Sequence, residues 1–184
     1  MNVVFLDRDG VINVNRKDDY VKTVDEFVIL PGALEGLAKL KEAGIPTVVV
    51  SNQAGIGRGL IDPAELERIS RTMCLAASEN GGDISAFYYC LHRKDEGCDC
   101  RKPNIGLFLK ASQDMGFDLS ESYFVGDAES DMEAGHKAGC RTVLVLTGRS
   151  SIEEVDGWPY QPNHIAENLP DAVDWILADK LSRV

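Results

Sequence analysis

Short apolar runs recur along the chain, each followed by a polar break and then by residues spaced three and four apart. Val3-Val-Phe-Leu6 is the first run, and its β-branched and aromatic content predicts a buried strand. Pro46-Thr-Val-Val-Val-Ser51, Ala86-Phe-Tyr-Tyr-Cys90, Ser122-Tyr-Phe-Val125 and Arg141-Thr-Val-Leu-Val-Leu146 predict four more. Between the runs the apolar spacing lengthens to that of a helix. Pro31-Gly32 opens a segment in which Leu34, Leu37, Ala38 and Lys41 share a face, ended by Gly44. Asp62 is placed to cap a second helix, with Pro63 at its first position and Glu65 completing a capping box. Leu66, Ile69, Met73 and Ala76 form its predicted buried stripe, and Asn80-Gly81-Gly82 its stop. Further helices are predicted over 105–115, up to Gly139, and over 170–181. The stretch 13–29 reads as a polar flap and 148–163 as irregular, with 164–166 a short separate piece. Strands alternating with helices predict βαβ units: a Rossmann-like, mainly parallel α/β sheet with helices on both faces.

The breaks after the strands hold the chemistry. The first strand runs into Asp7-Arg8-Asp9-Gly10, which by itself also fits a surface loop or a calcium-loop fragment. Ser51 ends the second strand, Arg101-Lys102 follows the third after a loop, and Gly126-Asp127 with Asp131 follows the fourth. Each has a plain reading as turn residue, solvated charge or helix cap. Right-handed crossovers, however, place the carboxyl ends of parallel strands on one side of the sheet, where open α/β folds bind ligands. That geometry predicts one pocket for Asp7, Asp9, Ser51, Lys102, Asp127 and Asp131. Crowded carboxylates call for a divalent cation, and an oxygen-only set favours Mg²⁺ together with substrate phosphate oxygens. One carboxylate can serve as nucleophile, a second as acid and base, while a hydroxyl and an ammonium group hold the transferring phosphoryl.

Composition narrows the readings. At 184 residues the chain suits one domain, 1–184. A net charge of −11 argues against nucleic acid and requires local positive charge for any anionic substrate. No apolar run matches a membrane span, and Met1–Leu6 is too short for a signal peptide, so a cytoplasmic protein with no membrane partner is expected, acting as a monomer. The odd count of five cysteines does not fit a secreted disulfide framework. Cys90-x-His92-x5-Cys98-x-Cys100 instead supplies three thiolates and an imidazole, a set suited to tetrahedral Zn²⁺. With all four positions filled by protein the zinc is structural. It would stiffen the loop 90–100, which leads directly into Arg101-Lys102-Pro103. Cys74 and Cys140 read as small buried hydrophobes, His136 and His164 as structural or exposed, and Trp158-Pro159-Tyr160 as packing.

Asp7-x-Asp9-Gly-Val, Ser51-Asn52, Lys102-Pro103 and Gly126-Asp127-x3-Asp131 together resemble the four motifs of the haloacid dehalogenase-like phosphatases, over Val3 to about Leu146. The resemblance implies that Asp7 is the nucleophile and Asp9 the general acid and base. Ser51 and Lys102 would hold the phosphoryl oxygens. Mg²⁺ would take the Asp7 and Asp127 carboxylates and the Asp9 backbone carbonyl, with Asp131 supporting it from behind. A zinc loop without an inserted cap domain is similar to the branch of heptose bisphosphate and histidinol phosphatases. Residues 52–59, Ile12-Asn13-Val14 and Tyr20-Val21 are similar to its heptose members. That likeness implies loss of the 7-phosphate from D-glycero-D-manno-heptose 1,7-bisphosphate, in building precursors of bacterial surface polysaccharide. Asn52, Gln53 and Arg101 would contact this small phosphorylated sugar, and Arg58 and Arg101 are the cations available for its other phosphate. Histidinol-phosphate hydrolysis and a non-catalytic zinc-stabilised interaction protein are the alternatives.

Overall fold

A computed structural model describes residues 2–183. Six apolar runs pair side by side as parallel strands: β1 (Val4–Leu6), β2 (Thr47–Asn52), β3 (Ala86–Cys90), β4 (Tyr123–Gly126), β5 (Arg141–Val145) and β6 (His164–Ala166). Their spatial order is β3-β2-β1-β4-β5-β6. Val4 stands opposite Thr47 on one side and Tyr123 on the other, and Leu6 opposite Val49 and Val125. The chain builds outward from β1 in one direction, then returns to its other side at β4. The crevice between the carboxyl ends of β1 and β4 is therefore the point where the winding reverses, the place where such sheets hold ligands.

The helices are α1 (Ala33–Glu42), α2 (Ala54–Gly57), α3 (Pro63–Glu79), α4 (Gly106–Met115), α5 (Glu129–Ala138), α6 (Ile152–Val155) and α7 (Leu169–Ser182). Strand alternation divides the core into two layers. Val4, Leu6, Val49 and Val125 pack with Leu37 and Leu40 of α1, Ile69 and Met73 of α3, and Val173 and Ile176 of α7. Val3, Phe5, Val48 and Phe124 pack on the other face with Phe108 and Ala111 of α4 and Ala134 of α5. Phe108 meets Phe5 and Phe124 edge to face, each with centroids 5.0 Å apart. This is the Rossmann-type α/β fold expected. No described helix is long and apolar enough to cross a membrane.

Several local expectations are corrected. The buried face of α1 is Ala33, Gly36, Leu37 and Leu40, while Leu34 and Ala38 are half-buried and Lys41 is exposed. The cause is α7: Leu169 lies where a Cβ on Gly36 would stand, so small residues make the contact and a search for large apolar side chains misplaces the face. In α3 the stripe ends in Ala77 rather than Ala76. Asp62 caps α3 by accepting from Ala64 N at 2.8 Å, but Glu65 forms no capping box. Its carboxylate accepts instead from Arg68 and, at 3.4 Å, from Val24 N, tying α3 to the flap. The glycine-rich stretch after β2 contains the short helix α2, and 164–166 is a sixth strand paired with β5. Cys140 is buried and Cys74 half-buried, both as free thiols; His136 is exposed and the His164 ring stacks on Trp175 at 4.9 Å.

Candidate active site

Asp7 is the first residue beyond β1, and Asp127 the first beyond β4. Gly10 turns the chain with φ +87°, and a side chain there would strike the Asp127 carboxylate, so only glycine lets the two strand-end loops meet. Ser51 lies within the buried end of β2, and Asp131 on the first turn of α5. Lys102 arrives from the loop after β3, only 4% exposed. Its Nζ sits 3.1 Å from Asp7 Oδ1 and 2.7 Å from Asp131 Oδ1. Asp131 Oδ2 in turn accepts from Asp127 N at 3.1 Å. Ligand oxygens of Asp7, Asp127 and Asp131 all lie within 4.8 Å of one another. Every residue assigned to the pocket from sequence thus reaches it, although Asp131 stands closer to Lys102 than a remote supporting role requires.

Three acids around one ammonium group shape the electrostatics. Burial works against the Lys102 charge, but Asp131 and Asp7 more than offset it and raise its pKa to about 12. Burial pushes Asp7 above the usual carboxylate range despite Lys102, because Asp131 and Asp9 repel its charge. Asp127 is pushed up to about 8 by burial and by Asp131 and Asp7. Asp9 moves the other way: burial opposes its charge, yet Arg8, Asn13 and Gln53 hold it below the usual range. The set is short of positive charge and built of oxygens, which fits a hard divalent cation of the Mg²⁺ type.

The loop from Cys90 to Cys100 also closes on itself. Sγ atoms of Cys90, Cys98 and Cys100 lie 3.1–3.6 Å apart, and His92 Nδ1 lies 3.2 Å from Cys100 and 3.6 Å from Cys90. Thiolates around a tetrahedral zinc, with Zn–S near 2.3 Å, stand about 3.8 Å apart. The quartet therefore fits Zn²⁺ after a small expansion. Asn104 Nδ2 donates to Cys98 O at 2.8 Å, carrying the loop into the segment that presents Lys102.

Three of the expected substrate contacts have other work. Gln53 is 1% exposed and donates from Nε2 to Asp9 Oδ2 at 2.9 Å and to Ser51 Oγ at 3.1 Å. Arg58 does not line the cleft; it donates to Tyr20 Oη at 3.2 Å, and Tyr20 does line it. Asn52 borders the cleft, but its amide is paired with the Lys102 backbone, donating to Lys102 O at 3.1 Å and accepting from Lys102 N at 3.0 Å. Arg101 lines the cleft of about 720 Å³, and so do Arg16, Lys94 and Arg149, which sequence reading did not single out. Trp158 both borders it and packs on the cluster of Met132, Leu144 and Val155. Also missed was the turn after β5. Gly148 presses on the Asp127 carboxylate, Arg149 N donates to Asp127 Oδ2 at 2.7 Å, and Thr147 Oγ1 donates to Gly10 O at 2.7 Å. Its one available signal was a glycine two residues past a buried strand.

The fold, with its acids and lysine gathered where the winding reverses, defines a class of phosphate-transferring hydrolases, and the comparisons agree. A family model described as HAD-hydrolase-like matches residues 99–172. The chain is 43% identical over 148 residues to the D-glycero-β-D-manno-heptose-1,7-bisphosphate 7-phosphatase of Pseudomonas aeruginosa, covering 80% of this chain and 83% of that one. It is 37% identical to the enzyme of the same name from Escherichia coli K12, covering 95% and 87%. The crystal structure of the D,D-heptose 1,7-bisphosphate phosphatase of Bordetella bronchiseptica, complexed with magnesium and phosphate, superposes with a TM-score of 0.90 at 36% identity over 97% of this chain and 99% of that one. The chain belongs to the haloacid dehalogenase-like family of phosphatases.

Proposed function

We propose that the protein is a Mg²⁺-dependent phosphomonoesterase that removes the 7-phosphate of D-glycero-D-manno-heptose 1,7-bisphosphate through an aspartyl-phosphate on Asp7. The observation that carries the mechanism is Lys102 Nζ lying 3.1 Å from Asp7 and 2.7 Å from Asp131, at the point that Ser51 and Asp127 also reach. Asp7 attacks phosphorus and the sugar oxygen leaves with a proton from Asp9; water then attacks the acyl-phosphate and gives a proton back to Asp9. Lys102 and the Ser51 hydroxyl hold the phosphoryl oxygens, and Asn52 fixes the Lys102 backbone from the neighbouring strand end. Bound by the Asp7 and Asp127 carboxylates and the Asp9 carbonyl, Mg²⁺ supplies a Lewis acid for a phosphoryl oxygen. Zinc held by Cys90, His92, Cys98 and Cys100 would be structural. That Arg101, Lys94 and Arg149 line the cleft supports a role for Arg101, with Lys94 or Arg149, in holding the phosphate that remains. The names of the relatives support the heptose substrate, and unpaired thiols ready for zinc suit the reducing cytoplasm.

The test of substrate is kcat/KM for the heptose bisphosphate against histidinol phosphate. The heptose ester is expected to win by at least about tenfold, the size of one well-placed ionic contact. The reverse preference would move the protein to the histidinol reaction, and inertness toward both with Mg²⁺ present would favour a binding role.

Metal binding carries a pH signature. Because its pKa is raised, Asp127 in the metal-free fold keeps a proton between about pH 4 and pH 8 that the unfolded chain has lost. That contribution to stability is complete below the unfolded value and disappears as pH rises through about 8. Mg²⁺ must displace the proton, so it binds more weakly at low pH. Thermal melts with and without Mg²⁺ are expected to show a larger upward shift near pH 9 than near pH 6. A shift independent of pH would contradict the assignment of Asp127 as ligand.

A further inference from the structure

Asp9 receives more hydrogen bonds than a loop carboxylate needs. Arg8 Nη2 donates to both of its oxygens, at 3.0 and 2.9 Å. Asn13 Nδ2 donates to Oδ1 at 2.9 Å, and Gln53 Nε2 to Oδ2 at 2.9 Å. All these donors are N–H groups, and between them they reach both oxygens and fix the plane of the carboxyl group. The arrangement works against stability. Arg8 is 1% exposed, and its Nε and Nη1 have no hydrogen-bond partner among the described residues. Unpaired buried N–H groups are destabilising, and an apolar residue of similar length would fill the same space without them. Tyr89 also lies beside the guanidinium, but the one nitrogen with a well-formed hydrogen bond gives both of its bonds to Asp9.

We propose that Arg8, Asn13 and Gln53 form a positioning clamp that holds Asp9 in one orientation, as the base for hydrolysis of the phosphorylated Asp7. This rests on the roles given to Asp7 and Asp9 above. In that step a water oxygen bonds to phosphorus and the bond from phosphorus to the Asp7 oxygen breaks. The water proton passes to Asp9, inorganic phosphate departs and the Asp7 carboxylate is restored. Gln53 adds a second link, because the same nitrogen donates to Ser51 Oγ at 3.1 Å and ties the base to the hydroxyl that holds the phosphoryl group.

An activated aryl ester isolates this half of the reaction. p-Nitrophenolate leaves without a proton, so phosphoryl transfer from p-nitrophenyl phosphate bypasses Asp9, and only the hydrolysis of Asp7-phosphate needs the clamp. In Arg8→Met and Gln53→Met, kcat is expected to fall at least about tenfold, part of the roughly 10²–10⁴-fold that a positioned base supplies. In Arg8→Met, KM should fall in parallel and leave kcat/KM within about threefold, since kcat/KM does not include the later step; in Gln53→Met, which also removes the partner of Ser51, kcat should fall by more than kcat/KM. A burst of p-nitrophenolate should precede the slow phase, and acid quenching followed by mass spectrometry should find phosphate on Asp7. Arg8→Lys should recover part of kcat, and Gln53→Met keeps the test open if Arg8→Met fails to fold. Loss of kcat and kcat/KM together without a burst, or no change in either, would overturn the clamp. Asp9→Asn separates the levels: a burst there but not in the clamp variants removes only this inference, and no burst in Asp9→Asn removes the assignment of Asp9 as well.

Discussion

Replacing Asp7 with asparagine is expected to lower turnover by at least about 10⁴-fold, the scale on which loss of a covalent nucleophile is felt. The amide has the size of the carboxylate but cannot attack phosphorus, and it removes one oxygen from the metal set. Structure should survive, because Asp7→Asn leaves Lys102 with its shorter contact to Asp131 at 2.7 Å. It also relieves the crowding that pushes Asp7 above the usual carboxylate range. The Cys90–His92–Cys98–Cys100 cluster, which leads from the end of β3 into the loop after it, does not include Asp7. Phosphate release, circular dichroism and zinc content measured on one sample decide the matter. Turnover within tenfold of the parent, with the substitution verified, would show that another group attacks phosphorus.

Lys102→Met should damage stability and rate together. Lys102 is the one cation within salt-bridge distance of Asp7 and Asp131 among the described residues, and its own side chain is 2% exposed. Breaking a buried ion pair by removing one partner costs about 3–5 kcal/mol, because the other charges stay behind without compensation. Loss of a preorganised contact to the transferring phosphoryl costs a further ~10²–10³-fold in kcat/KM. The sign with pH is fixed by the raised lysine pKa: its contribution is complete below the unfolded value and fades only as pH rises through about 12, so a measurement near neutrality sees all of it. Urea unfolding at neutral pH should show the destabilisation, and Mg²⁺ should restore part of it by neutralising the stranded acids. A change under about 1 kcal/mol, the range of an exposed pair, would mean that Lys102 is not the counter-ion of this cluster.

The two residues in these predictions were legible before any coordinates, for a physical reason. A buried strand shows itself through its own β-branched and aromatic residues, and parallel winding sends the end of each such strand to the same edge. Asp7, Ser51 and Asp127 needed only those two facts to be grouped. The cluster of three cysteines and one histidine was legible because thiols and an imidazole at short spacing have few other uses in a chain without a disulfide framework. Other readings failed where a partner from a distant segment decided the outcome. Glu65 was expected to cap its own helix, but the flap offers Val24 N. Lys41 was placed on the buried face of α1, yet Leu169 of α7 packs on Gly36 and turns that face away. Arg58 and Gln53 had the right chemistry for a sugar phosphate, but their side chains are bonded to Tyr20 and to Asp9 and Ser51.

The amino-acid sequence by itself determined five of the six strands, the winding and the kinds of group brought to the sheet edge, since periodicity, capping and crossover handedness are local or generic properties of the chain. Only the tertiary structure decided which groups touch. The Asn52 pairing with the Lys102 backbone spans 50 positions and the Gln53 contact with Asp9 spans 44. Gly148 meets Asp127 only because β4 and β5 are neighbours in the sheet. Such contacts depend on the paths of loops between elements, and no repeating pattern of side chains records those paths.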